Sequence, residues 1–303
     1  MTASPTLTLL SQIHGGTSLQ HALSEVEAQV RQQPQAREAR WALIELLCTL
    51  GQWERAQQQL QSFARLFADA SNATQTMGGL VQAEAQRQLV FAGHLLPTPL
   101  ASSPAWMTDL GRALHLGLSG QLDAADELRE AALASATSPA GWCSLQDGTG
   151  QTPADADTEA TGAAPLRFEW LADTDSRFGP VLEVMHQGQY RWLPLSDVAS
   201  LTLRVPQRLG DLVWSPALLK TRPQDGQAAA LLQVHIPARY PGTEHSSNEQ
   251  GSAQREALLL GRLSRWTDVG RSAIVGLGQR TWMCDSHDWP QLNIRYLEMD
   301  ALP

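Results

Sequence analysis

Two aspartates and an arginine stand just past an apolar alternation, in Trp170-Leu-Ala-Asp173-Thr-Asp175-Ser-Arg177-Phe-Gly179-Pro180. Paired carboxylates at such a place can exchange a proton in acid/base chemistry or hold a cation. The same residue types also build turns, because Asp, Thr and Ser side chains accept hydrogen bonds from their own backbone and a neighbouring arginine bridges them. No second group of carboxylates or histidines accompanies the pair in sequence, so the turn reading outweighs catalysis. The competing reading is a hydrolase-like enzyme centred on Asp173, Asp175, Arg177, Arg239 and Arg280. It requires those charges to converge in one pocket with perturbed titration.

Other chemistries find less support. Cys284 and His287 have the spacing of metal ligands, but they make half a site, and Cys48 and Cys143 have no cysteine or histidine nearby. No metal and no cofactor is expected. Gly276-Leu-Gly278-Gln279-Arg280 follows an apolar run as a dinucleotide loop would, yet Thr281 stands where a third glycine belongs and no helical pattern follows. A turn between strands fits better. The only lysine, Lys220, lies in Ala-Leu-Leu-Lys-Thr, which removes a Walker phosphate loop, and kinase triplets are absent. Ser215 sits between Trp214 and Pro216, unlike the serine of a nucleophile elbow.

The 303 residues carry 22 basic and 31 acidic side chains, a net charge of -9, which argues against nucleic acid as a partner. Nearly all the excess lies in residues 1–165, with 8 Arg against 16 Asp and Glu. No apolar run reaches membrane-spanning length, the start lacks a basic secretory region, and three scattered cysteines make no disulfide framework. The expectation is a cytoplasmic protein with no membrane contact. Ten tryptophans are left to place; most belong in a core, and an exposed pair beside Arg191 or Arg265 would suit a protein partner.

The elements that must position these residues fall into two blocks. Residues 1–140 are rich in helix formers, with helices expected over 18–31, 36–50 and 53–68 and from Trp106 onward. Gly51-Gln-Trp53-Glu-Arg-Ala56 recurs, 69 residues on, as Gly120-Gln-Leu122-Asp-Ala-Ala125, close to twice the 34-residue tetratricopeptide period. A tetratricopeptide-like helical domain follows, though the same hexapeptide also suits any helical hairpin. Residues 141–166 read as a linker or loop, being rich in Pro, Gly, Thr and Asp. Residues 167–303 read as a smaller-stranded α+β domain, with a hairpin over 180–193 turning at Gly188. Further strands are expected over 211–214, 230–236, 273–275, 280–284 and 292–297, a helix over 256–263, and a mobile surface loop over 241–254.

Six blocks in order then carry a specific likeness: Phe168 to Glu183 with Trp170, Asp173, Asp175, Arg177, Gly179 and Pro180; Gly188-Gln-Tyr-Arg-Trp192-Leu-Pro194; Leu209-Gly-Asp211-Leu-Val-Trp214-Ser-Pro-Ala217; Ile236-Pro-Ala-Arg239-Tyr240-Pro-Gly242; Leu260-Gly-Arg262-Leu-Ser-Arg-Trp266; and Gly276-Leu-Gly278-Gln279-Arg280. Together they resemble the TagJ/ImpE family, also called SciE-type. One departure is Ser264-Arg265-Trp266, where the family often has Thr-Glu-Trp, a reversal of charge. The resemblance implies a non-enzymatic accessory protein of the bacterial type VI secretion system, bound to a helix near the N-terminus of the small sheath subunit TssB and linked to the ClpV unfoldase. In that frame most of the motif residues are structural. A helical-repeat face would take an amphipathic helix, with Arg40, Trp41, Ile44 and Arg87 as candidate contacts because they flank the helical faces.

Overall fold

Leu19, Ala22, Leu23 and Val26 recur at helical spacing, and the Ser18 hydroxyl accepts the His21 backbone N–H, so the chain enters a helix where its pattern says it should. A computed structural model describes residues 5–146, 164–223, 228–246 and 251–301. Its first part is helical: α1 (Pro5–His14), α2 (Leu19–Gln32), α3 (Arg37–Thr49), α4 (Trp53–Leu66), α5 (Ser71–Phe91), α6 (Ala105–Leu118) and α7 (Leu122–Ser135). The repeated hexapeptide makes the same turn twice. Gly51 and Gly120 take φ of 72° and 80°, and Gln52 and Gln121 donate back to Leu47 and Leu116. Ala56 and Ala125, both fully buried, then let α4 lie close on α3 and α7 on α6.

The second part is an antiparallel sheet domain. Its strands are β1 (Gly141–Leu145), β2 (Leu166–Phe168), β3 (Leu171–Asp173), β4 (Val181–His186), β5 (Gln189–Pro194), β6 (Val198–Leu203), β7 (Trp214–Thr221), β8 (Leu231–Pro237), β9 (Ser264–Val269), β10 (Ala273–Gly278), β11 (Thr281–Cys284), β12 (Asp288–Pro290) and β13 (Ile294–Met299), with α8 (Ser252–Leu259) between β8 and β9. Eight strands form one sheet in the order β2-β1-β13-β6-β7-β8-β4-β5; β12-β11-β3 and the β9–β10 hairpin stand apart. Strand β4 is covered on both faces. Val181 and Met185 join a core shared with the helices, whereas Leu182 and Val184 join a second core with Leu171, Trp282 and Trp289 of the three-stranded sheet. Glu183 therefore points toward the helices, the one charge on an otherwise apolar strand.

Several expectations are corrected. Residues 141–145, read as the start of a linker, form β1, because Cys143 buries completely and the strand pairs with both β13 and β2. Residues 147–163 of that segment lie outside the described residues. The stretch 211–213 is not a strand, and Trp214 opens β7 instead of ending one: Leu209–Leu212 is a 3-10 turn, drawn tight by Asp211, whose carboxylate accepts from the backbones of Gln207 and Arg208. The loop expected over 241–254 begins with the 3-10 turn Thr243–His245, where Thr243 and Glu244 are buried, and its end is already α8. One apolar cluster runs across both parts, from α1 through Trp192, Trp214 and Tyr240, and a second lies within the stranded part around Leu182, Val198 and Trp282.

Candidate functional site

The turn over 173–177 forms as its composition predicts. Asp173 Oδ1 accepts the Asp175 N–H, Asp175 Oδ1 accepts the Arg177 N–H, and the Arg177 guanidinium grips Asp175 with Nε 2.9 Å from Oδ1 and 3.0 Å from Oδ2. Asp175 also accepts Gly276 N–H at 2.8 Å, tying the turn to β10. The remaining charges are drawn into a buried chain. Arg87 on α5 donates to Glu183 through Nε at 2.8 Å and Nη2 at 2.9 Å, and its Nη1 lies 3.3 Å from Glu84. Arg280 pairs with Glu183 on one side and with Asp173 at 3.0 Å on the other. Tyr190 donates to Glu183, Tyr240 to Asp173 at 2.9 Å, and Trp214 Nε1 to Glu84 at 2.9 Å.

This arrangement holds the fold rather than presenting a reacting group. Burial pushes the Asp173 carboxyl up to about 6, with Arg280 pulling the other way, and burial lowers Arg280 to about 10. Both side chains are sealed, and none of the five charged residues of the hydrolase-like reading lines either of the clefts described below. Asp173, Asp175, Arg177 and Arg280 pair off inside the protein. Arg239 spends its guanidinium on the carbonyls of Thr49 and Leu259, each at 2.8 Å, which close α3 and α8. The perturbed titration is thus a by-product of structural burial, and the catalytic reading loses its support.

Among the other motif residues, Gly179 O accepts Asp173 N–H, and Gly278 O accepts Tyr240 N–H, with Gly278 N–H on Thr243. Gln279 bridges Gly261 and Leu292, and Arg262 reaches the carbonyl of Ile13 at 3.0 Å. Trp192 is core, Pro180 is buried, and Trp170 is half-buried. Trp266 and Trp142 are each 43% exposed: Trp142 lies under Arg167, Trp266 is on the β9–β10 hairpin, and Arg265 donates to Gln254. Cys284 and His287 close a turn through Cys284 N–H to His287 O, the ordinary reason for their spacing.

Of the proposed helical contacts, Ile44 is fully buried and Arg87 is consumed by Glu183, so both are corrected to interior residues. Arg40 folds back on the Pro34 carbonyl at the rim. Trp41 alone borders an opening. It stands at a cleft of about 200 Å³ lined along α5 by Ala73, Thr76, Met77 and Leu80, residues at helical i, i+3, i+4, i+7 spacing. A second cleft of about 600 Å³ continues from it past Gly78 and Gly79 to the β4–β5 turn, and the two share Thr76, Leu80 and His235. Together they make a groove between α5 and the sheet. At its closed end lies Glu45, 1% exposed, with Oε1 accepting Trp41 Nε1 at 2.8 Å and Oε2 without a hydrogen-bond partner among the described residues. Sequence reasoning missed Glu45 because it reads as one polar residue in the apolar run 41–48, and missed the cleft beside α5 because the sheet residues that complete it lie over a hundred residues away.

Three comparisons bear on this geometry. The family model described as ImpE protein matches residues 166–298. The type VI secretion system accessory component TagJ of Pseudomonas aeruginosa is 38% identical over 283 residues, covering 93% of this chain and 88% of that one. The crystal structure of protein VPA1032 from Vibrio parahaemolyticus superposes with a TM-score of 0.76 over 97% of both chains at 21% identity, a likeness of fold alone. Among the described residues no helix is long and apolar enough to cross a membrane.

Proposed function

The chain belongs to the TagJ/ImpE family, and on that premise we propose that it is a non-enzymatic adaptor of a type VI secretion system. In this reading it seats the amphipathic N-terminal helix of the sheath subunit TssB in the groove beside α5 and connects the sheath to the ClpV unfoldase. The carrying observation is the pair of adjoining clefts beside α5, the first along the face that bears Ala73, Thr76, Met77 and Leu80, the second on the neighbouring face that bears Gln75, Gly79 and Gln82, with apolar Met77 and Leu80 at the floor. A helix laid there would bury anchors at i, i+3, i+4 and i+7 while its rim charges set direction. The paired α3–α4 and α6–α7 hairpins are the tetratricopeptide-like element of the same reading.

The test is isothermal titration of the full chain with a synthetic peptide covering that TssB helix, alongside the variant Thr76→Arg. Thr76 is exposed at the junction of the two clefts, so the variant should fold and lose at least about tenfold in affinity, roughly 1.4 kcal/mol. An absence of peptide binding by the unaltered chain, or equal binding by Thr76→Arg, would sink the groove reading.

A further inference from the structure

We propose that the closed end of the groove is a cation pocket, in which Glu45 receives a lysine or arginine side chain of the docked partner helix. The inference rests on the groove reading and adds a specificity determinant to it. Three observations carry it. Glu45 is buried and borders the cavity, yet its Oε2 has no hydrogen-bond partner among the described residues. Arg208 lines the same cavity, but no described cation makes a salt bridge to Glu45, so the buried carboxylate is without a directly paired charge. The cavity beside it has about 200 Å³ of room, with Trp41 and Trp214 among its lining residues. Residues 1–140, which hold it, carry 8 Arg against 12 Asp and Glu, a net charge of -4 that favours a basic segment.

The groups facing Glu45 are few. Trp41 donates to it, and Cys48 lies on the same helix. Arg208 and Asp211 approach from the 3-10 segment, and His235 comes from β8. Along α5 the lining residues Ala73, Thr76, Met77 and Leu80 carry no charge. Burial raises Glu45 to about 7 and also raises Asp211, whereas burial holds His235 down near 4 and raises the Cys48 thiol, so Glu45 changes charge between pH 6 and 8 while His235 stays neutral. An incoming ammonium or guanidinium binds the ionised carboxylate and displaces its proton.

The experiment is titration calorimetry of the full chain with the same TssB helix peptide, at pH 6 and pH 8. It is repeated with peptides in which each Lys or Arg is singly replaced by norleucine. If the pocket holds a cation, affinity for the parent peptide rises about tenfold from pH 6 to pH 8. One norleucine replacement then weakens binding about tenfold to the unaltered chain and leaves Glu45→Gln unaffected, and Glu45→Gln shows no pH trend. Gly210→Ala is the second variant. A Cβ there would meet Glu45 Cγ and Met77 Cε at 3.8 Å, ordinary contact, so it fits while shallowing the pocket, and it should weaken the parent peptide and not the norleucine one. Parent peptide binding that is equal for the unaltered chain and Glu45→Gln at both pH values overturns the cation pocket and leaves the groove reading standing. Failure of the parent peptide to bind the unaltered chain overturns both.

Discussion

At the scale of single residues, Glu183 and Glu45 are two buried carboxylates with opposite fates. Glu183 accepts from Arg87, Arg280 and Tyr190, so removing its charge takes one of two carboxylate partners from each of two buried guanidinium groups, leaving Glu84 to Arg87 and Asp173 to Arg280. Glu183→Gln should cost about 3–5 kcal/mol of stability, read from urea unfolding, the usual penalty for breaking a buried pair from one side. Glu45 behaves the other way. Its folded pKa, about 7, lies above the ordinary glutamate value, so the stability it contributes is full below about pH 4.5 and is lost as pH rises through 7. Glu45→Gln should therefore unfold like the unaltered chain at pH 5 and be more stable by about 1–3 kcal/mol at pH 8, a shift of several degrees in melting temperature. Sequence made the Asp173–Arg177 turn legible because its hydrogen bonds are local. It could not show that Arg280 joins Asp173 to Glu183, or that Arg87 crosses to Glu183 from a helix, because each arginine lies about a hundred residues from its partners.

At the scale of elements, the two copies of the Gly-Gln hexapeptide give a matched pair. Gly51 and Gly120 both need a left-handed backbone, which costs a side-chain-bearing residue about 1–2 kcal/mol. Only Gly51 is also pressed by a neighbour, since a Cβ there would stand 2.3 Å from Glu244 Cβ, whereas at Gly120 it would meet open space. Gly120→Ala should lose about 1–2 kcal/mol, and Gly51→Ala at least about twice that, measured by chemical denaturation of both variants in parallel. The helices α2, α3 and α4 were legible in sequence because their apolar positions recur at helical spacing, with Ser18 capping α2 and Gly51 following the end of α3. Residues 141–145 and 209–212 were not, and for different reasons. Strand β1 has a short, mixed composition and exists by being paired on both sides, while the apolar Leu209–Leu212 stretch is bent by Asp211, whose backbone bonds a pattern of hydrophobicity does not record.

At the scale of the whole molecule, the helical and stranded parts share one apolar cluster and one buried ion chain. The full chain should melt in a single calorimetric transition, with van't Hoff and calorimetric enthalpies agreeing within about 10–20%. Two separated transitions would mean that the parts fold independently, as the composition shift and charge asymmetry of the sequence suggest. Strand β1 makes the same point in another form. It comes from the N-terminal side of the 147–163 segment, yet it lies between β2 and β13, both from the other side. A gene divided there would yield two polypeptides, each holding half of a hydrogen-bonding ladder the other must complete. Co-expressed 1–146 and 164–303 should copurify as a stoichiometric pair, while either piece alone is recovered mainly as aggregate. The fold thus carries a natural complementation joint, through which assembly of the protein could be made conditional on two separately controlled chains.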